Sequence, residues 1–152
     1  MKTFLEKNGT PIIKWSLLPD GIMYKGIIPI NYNLCICPSK DYIIIDVDRH
    51  GNKNGFEIIK LLPWSLQTEL LDTFYYSTKN NGKHFWFKYT GNKVLLNKAS
   101  GLGIDLRVSA SKDSNGGYVK WHPRDTIDPR FAEVKASHTS KELNEWIESL
   151  FS

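Results

Sequence analysis

Tyr42-Ile43-Ile44-Ile45-Asp46-Val47-Asp48 is the stretch from which the fold can be read. Successive side chains of a strand point to opposite faces, and here both faces are apolar as far as Ile45. That pattern predicts a central strand covered on both sides, not a surface strand with one wet face. Asp46 and Asp48 then share one face at its C-terminal end, while Val47 points the other way. Two carboxylates so close repel unless a cation lies between them, and oxygen-only ligands select Mg²⁺ or Mn²⁺. Asp-x-Asp is short and frequent by chance, but ionised groups that end an apolar strand are costly without partners.

Downstream, His50-Gly51-Asn52-Lys53-Asn54-Gly55 reads as a turn into a helix. Phe56, Ile59 and Leu62 share a face of that helix, and Pro63 stops it. Ser65 is the expected cap of a second short helix, Leu66 to Leu71. Phe74 to Thr78 and His84 to Tyr89 flank Asn80-Asn81-Gly82, a hairpin signature. Ile104 to Val108 and Tyr118 to Trp121 are expected as short strands, with Ser114-Asn115-Gly116-Gly117 as the turn between them. Upstream, the first ~35 residues read as irregular, because Pro11, Pro19-Asp20-Gly21 and Pro29 punctuate short apolar pieces. The chain closes on a helix capped by Thr139 or Ser140. Its stripe of Leu143, Trp146, Ile147, Leu150 and Phe151 is expected to dock on the core. The expectation is an α+β (mixed α/β) domain spanning 1–152, with a mainly antiparallel sheet, hairpins and flanking helices. Within it, 1–40 is expected as an N-terminal irregular or strand segment, 41–123 as the motif-bearing core and 139–151 as the closing helix.

The chain has 152 residues, 41% hydrophobic and 24% charged, which suits one globular domain and excludes a disordered chain. No apolar run approaches the roughly 20 residues of a membrane span. Met1-Lys2-Thr3-Phe4-Leu5-Glu6-Lys7-Asn8 meets an acid and a base too early for a secretory signal, so a cytoplasmic location is expected. Cys35 and Cys37 point the same way on an apolar stretch, too far apart for easy disulfide geometry and without the usual partners of a zinc site. They read as small buried side chains in a reducing compartment. Charge is segregated along the chain: 41–78 carries net −3 and 79–125 net +6. An acidic segment beside a basic one suits a site for metal ions and phosphates, although solvated faces of opposite sign give the same pattern.

Asp105 lies in Gly103-Ile104-Asp105-Leu106-Arg107, a carboxylate inside an apolar strand. It is either the ion-pair partner of Arg107 or a third metal ligand. His84, in Gly82-Lys83-His84-Phe85-Trp86-Phe87, is either a half-buried structural side chain or a functional one. His50, His122 and His138 sit in turn or loop contexts, without helical metal spacing.

An Asp-x-Asp strand end, then a Gly-x-His hairpin, then an apolar-Asp strand is the order found in the archaeo-eukaryotic primase superfamily. From about Pro11 to Pro123 the chain resembles the bifunctional primase–polymerase domain of phages and plasmids. Pro11 with Trp15 is similar to that family's early Pro and Trp, and Ile43 to Asp48 to its first metal motif. Ser77 to Phe87 resembles the His motif, with Asn81 in place of its first Gly. Gly103 to Arg107 is similar to the Gly-apolar-Asp-apolar-Arg motif, and Gly116 to Pro123 to the strand that follows. Lys120-Trp121-His122 stands there in place of small residues.

The resemblance implies a primase–polymerase catalytic core that performs template-directed nucleotidyl transfer by a two-metal mechanism. Asp46, Asp48 and Asp105 would hold the Mg²⁺ or Mn²⁺ ions, and His84 would hydrogen-bond the triphosphate. Lys79, Lys83 and Arg107 would neutralise phosphate charge. The implied partners are single-stranded or primed DNA, nucleoside triphosphates and a separate helicase, with no membrane. If the chain is phage-encoded, the place is the host cytoplasm. Trp86, Tyr89 and Trp121 either stack template bases or belong to the core. Two other function classes suit a basic, aromatic-rich chain with these carboxylates: a non-catalytic nucleic-acid-binding replication module and a metal-dependent nuclease.

Overall fold

The computed structural model of the chain describes residues 1–109, 117–121 and 127–152. Its principal strands are β1 (Lys2–Lys7), β2 (Tyr32–Cys37), β3 (Tyr42–Val47), β4 (Phe74–Ser77), β5 (Lys83–Lys88), β6 (Ile104–Val108) and β7 (Val119–Trp121). The helices are α1 (Gly55–Lys60), α2 (Trp64–Asp72), α3 (Ala132–Lys135) and α4 (Lys141–Leu150). This is the expected α+β fold with mainly antiparallel sheets.

The strands form two main sheets. In the first, β2 lies between β1 and β7, and the short Thr10–Pro11 strand pairs antiparallel with the other edge of β1. In the second, β3 lies between β5 and β6, and β4 and the two-residue strand Ser137–His138 share the outer edge of β5. That short strand runs parallel to β5, whereas the β3, β4 and β6 pairings are antiparallel.

Period-two alternation separates the two faces of the second sheet. Ile43, Ile45 and Val47 stand in register with Phe87, Phe85 and Lys83 of β5 and with Val108, Leu106 and Ile104 of β6. This outer face packs against Leu66 and Leu70 of α2 and Leu143 and Ile147 of α4. The inner face carries Ile44, Trp86 and Tyr76, which meet Leu5, Leu34, Ile36, Val119 and Trp121 of the first sheet. The layers are therefore helices, second sheet, first sheet. β3 is covered on both sides as its sequence requires.

The closing helix follows its sequence pattern. Ser140 accepts a hydrogen bond from the Leu143 amide, while Leu143 and Ile147 are fully buried. Three expectations need correction. The first 35 residues are not irregular throughout: β1 pairs with β2 over its whole length, from Lys2 opposite Cys37 to Lys7 opposite Tyr32. Pro19 and Pro29 fall in the loop between these strands, and Pro11 lies in the short strand beside β1. Ser65 does not cap α2: the cap residue is Pro63, and the Ser65 hydroxyl donates instead to Glu142 of α4. β6 and β7 do not form a hairpin with each other, since β7 joins the first sheet beside β2. The turn expected at Ser114–Gly116, like His122 and Pro123, lies outside the described residues.

Candidate active site at the uncovered end of the inner face

The first sheet covers only part of the inner face of the second. Beyond Ile44 and Trp86 the next rung runs Asp105–Asp46–His84–Tyr76, across β6, β3, β5 and β4. Directly opposed residues of antiparallel strands project to the same side, so all four side chains share the inner face. Asp48 stands two residues past Asp46 and continues that face beyond the strand. A cleft of about 1180 Å³ opens over this end, lined by Asp46, Asp48 and His84 together with Lys7, Arg107 and Lys120.

Three glycines, Gly55, Gly82 and Gly103, let the chain close around Asp48. The Asp48 amide donates to the Gly103 carbonyl at 2.8 Å, and the Gly55 amide donates to the Asp48 carbonyl at 2.9 Å. Gly103 has φ +88°, and a Cβ there would lie 2.6 Å from Gly55 N. At Gly82 a Cβ would lie 2.5 Å from Asp48 Oδ1 and 2.6 Å from the Val47 carbonyl oxygen. The hairpin before Gly82 turns through Asn81 at φ 60°, a left-handed conformation that Asn tolerates. Glycines in the motif sequences thus serve close approach to the acidic strand end.

Each carboxylate leans on a basic neighbour. His84 Nε2 lies 3.4 Å from Asp46 Oδ1, His50 Nε2 3.5 Å from Asp48 Oδ2, and Arg107 donates to Asp105 Oδ2 at 3.1 Å. The ion-pair reading of Asp105 is therefore realised. Burial raises the Asp48 carboxyl above the usual range, the Asp46 charge adds to the rise, and His50 and His84 oppose it. Burial raises Asp105 too, with Arg107 opposing and Asp46 reinforcing.

Among the described residues, no three His, Cys, Asp or Glu side chains are gathered so as to hold a metal ion as they stand. The donor chemistry nonetheless fits a hard divalent cation. Asp46 is 9% exposed, and its Oδ1 is buried without a hydrogen bond. A buried carboxylate oxygen with only the His84 imidazole near it, at 3.4 Å, and with two raised carboxyls beside it is stabilised by further positive charge.

The remaining expected residues divide. Lys79 and Arg107 line the cleft. Lys83 does not join them: it pairs with Val47 on the outer face, its ammonium 4.8 Å from the Tyr75 ring centre. Adjacent strand residues face opposite ways, so His84 and Lys83 cannot both serve one face. Trp86 and Trp121 are buried in the core, and the Tyr89 hydroxyl donates to Glu148. Trp15 stacks on Phe4 with ring centres 5.5 Å apart, a packing role.

Other cleft residues were not legible as such in the sequence. Lys7, Tyr32 and Lys120 come from the first sheet and form the facing wall. Lys120 also pairs at 3.1 Å with the buried Glu6. Only the packing of the two sheets brings them opposite the acidic rung. Tyr76 carried a signal, because the hairpin register sets it opposite His84. No protein-family model matches the chain, and no curated protein matches it.

Proposed function

We propose that this chain is a template-directed nucleotidyltransferase of the primase–polymerase type, which extends DNA from nucleoside triphosphates in phage or plasmid replication. The observation that carries this reading is the single rung of Asp105, Asp46 and His84, of which Asp46 and His84 line, with Asp48, a cleft that has cationic walls. Asp46, Asp48 and Asp105 are the residues that would hold Mg²⁺ or Mn²⁺, which when bound neutralises triphosphate charge and activates a 3′-hydroxyl. His84 offers a ring N–H to a phosphate oxygen. Lys79 and Arg107 offset phosphate charge, and the buried Arg107 Nε has no hydrogen-bond partner, which leaves it a donor to spend. Lys7 and Lys120 on the facing wall attract the template backbone. Nucleotidyl transfer depends mainly on positioning and electrostatics, so this inventory needs no nucleophilic side chain. A pure binding module gains nothing from carboxylates placed beside phosphates. The substrates and a separate helicase would be met in the cytoplasm, and no helix of the described residues is long and apolar enough to cross a membrane.

The test is incorporation of labelled deoxynucleotide on matched primed and unprimed single strands, with Mg²⁺ or Mn²⁺ and with Asp46→Ala as the blank. Metal-dependent extension of the primed strand, falling steeply with salt, is expected, with little synthesis on the unprimed strand. Retained DNA binding without synthesis would assign a binding module. Metal-dependent shortening of the labelled strand would assign a nuclease.

A further inference from the structure

The rung Asp105–Asp46–His84 does not open evenly on the cleft. Asp46 and His84 line it, whereas at the β6 end the lining group is Arg107 and not Asp105. Arg107 lies two residues past Asp105 on β6, so both side chains project to the inner face. Arg107 Nη2 donates to Asp105 Oδ2 at 3.1 Å. The guanidinium therefore covers the third carboxylate on its cleft side.

The cover is loosely held. A guanidinium has five N–H donors in a planar fork and grips a carboxylate best through two of them at once. Here one hydrogen bond is made, and the buried Nε has no partner. Arg130 shows the tighter alternative in the same chain, since its Nε and Nη2 both donate to the Asp128 carboxylate. The Asp105 and Arg107 side chains are 27% and 31% exposed, and ion pairs that solvent reaches contribute little. The Arg107 stem is packed more closely than its tip: a Cβ at Gly117 would meet Asn97 Oδ1 and lie 3.0 Å from Arg107 Cδ.

We infer that Arg107 is a displaceable counter-ion: it neutralises Asp105 in the metal-free protein, and a divalent cation taken up by Asp46 and Asp105 moves the guanidinium off that carboxylate and into the cleft. The inference rests on the metal reading of the site. Asp46 and Asp105 are opposed in register, so a cation shared by them adds positive charge beside the guanidinium, and like charges repel. A hard divalent cation also binds carboxylate oxygens directly, which a single N–H contact does not match. The two sequence readings of Asp105, ion-pair partner and metal ligand, are then successive states of one residue. Displacement also sets an order, because Arg107 becomes available to an anion in the cleft once the cation is in place.

The experiment uses Mn²⁺ alone, without nucleotide or DNA, and has two arms. In the first, crystals of the wild-type chain are grown with and without Mn²⁺, and the anomalous signal locates the ion. Mn²⁺ against Asp105, with Arg107 out of hydrogen-bond reach of that carboxylate, is expected. Mn²⁺ bound with the Arg107–Asp105 contact intact, or bound away from Asp105, overturns the inference. In the second, calorimetry compares Mn²⁺ binding by wild type and Arg107→Gln. Removing the competitor should tighten binding about two- to fivefold, the factor that a partly exposed ion pair withholds. Unchanged or weaker binding would show that Arg107 organises Asp105 for the cation, and overturns the inference. A wild-type chain that binds no Mn²⁺ in either arm overturns the metal reading and this inference with it. Mn²⁺ held by Asp46 and Asp48 with Arg107 unmoved overturns this inference alone and leaves the proposed function standing.

Discussion

The two faces of β3 share one backbone and differ in almost everything else. On the outer face Ile43, Ile45 and Val47 are sealed beneath α2 and α4, with Phe85, Phe87 and Leu106 beside them. On the inner face Ile44 is fully buried under the first sheet, and two residues later Asp46 holds a buried carboxylate oxygen without a hydrogen bond at the edge of a cleft. The outer face contributes stability through apolar burial, roughly 25 cal/mol per Å² removed from water. The inner face trades part of that gain for charge placement. A strand held this firmly on one side can keep repelling carboxylates within reach of each other on the other side.

The largest effect should come from breaking the outer face. Ile45→Ala removes a fully buried side chain between Phe85 and Leu106, and is expected to cost about 3 kcal/mol. That corresponds to a melting point lower by about 10 °C, with activity per folded molecule little changed. Chemical and thermal denaturation followed by the primed-strand assay checks both halves. A selective loss of activity at full stability would erase the division between the faces. Gly82→Ala tests the boundary between them, since the new methyl meets both Asp48 Oδ1 and the Val47 carbonyl oxygen. A loss of about 2 kcal/mol together with most of the activity is expected, as for other overpacked sites.

Much of this division was legible in the residues. The alternation in Tyr42 to Asp48 places Asp46 and Asp48 on the face opposite Val47, and Asn80-Asn81-Gly82 marks the hairpin that brings His84 beside Asp46. What stayed hidden is non-local. The pairing of β1 with β2 spans a long connection broken by prolines, and nothing periodic in that connection announces it. Lys7 and Lys120 reach the cleft only because two sheets stack, which strand patterns do not encode. Lys83 lies away from the cleft for a local reason: its nearness to His84 in sequence counts for less than the parity that sends it to the other face.

The smallest effects sharpen that last point. Lys79→Ala should weaken binding of single-stranded DNA modestly and lower the salt slope by about one, as expected for a single phosphate contact. Lys83→Ala should leave DNA and triphosphate binding unchanged. Its cost is a stability loss of about 0.5–1 kcal/mol from the contact with Tyr75. Binding isotherms at several salt concentrations separate the two lysines. If Lys83→Ala weakens binding as much as Lys79→Ala, the parity assignment of the hairpin is wrong.

The claim that the inner face holds a shared cation site is tested most directly by melting wild type and Asp48→Asn with and without Mn²⁺. Burial and the Asp46 charge raise the Asp48 carboxyl, so the folded state prefers it protonated. The stability tied to that preference is present in acid and is lost as pH rises through the raised value. An amide stays neutral at every pH, so Asp48→Asn should melt higher than wild type at neutral pH in chelator, with the advantage vanishing in acid. Added Mn²⁺ should raise the melting point of wild type and leave the variant nearly unmoved. A variant that melts lower than wild type in chelator and is still stabilised by Mn²⁺ to the same degree would contradict the account.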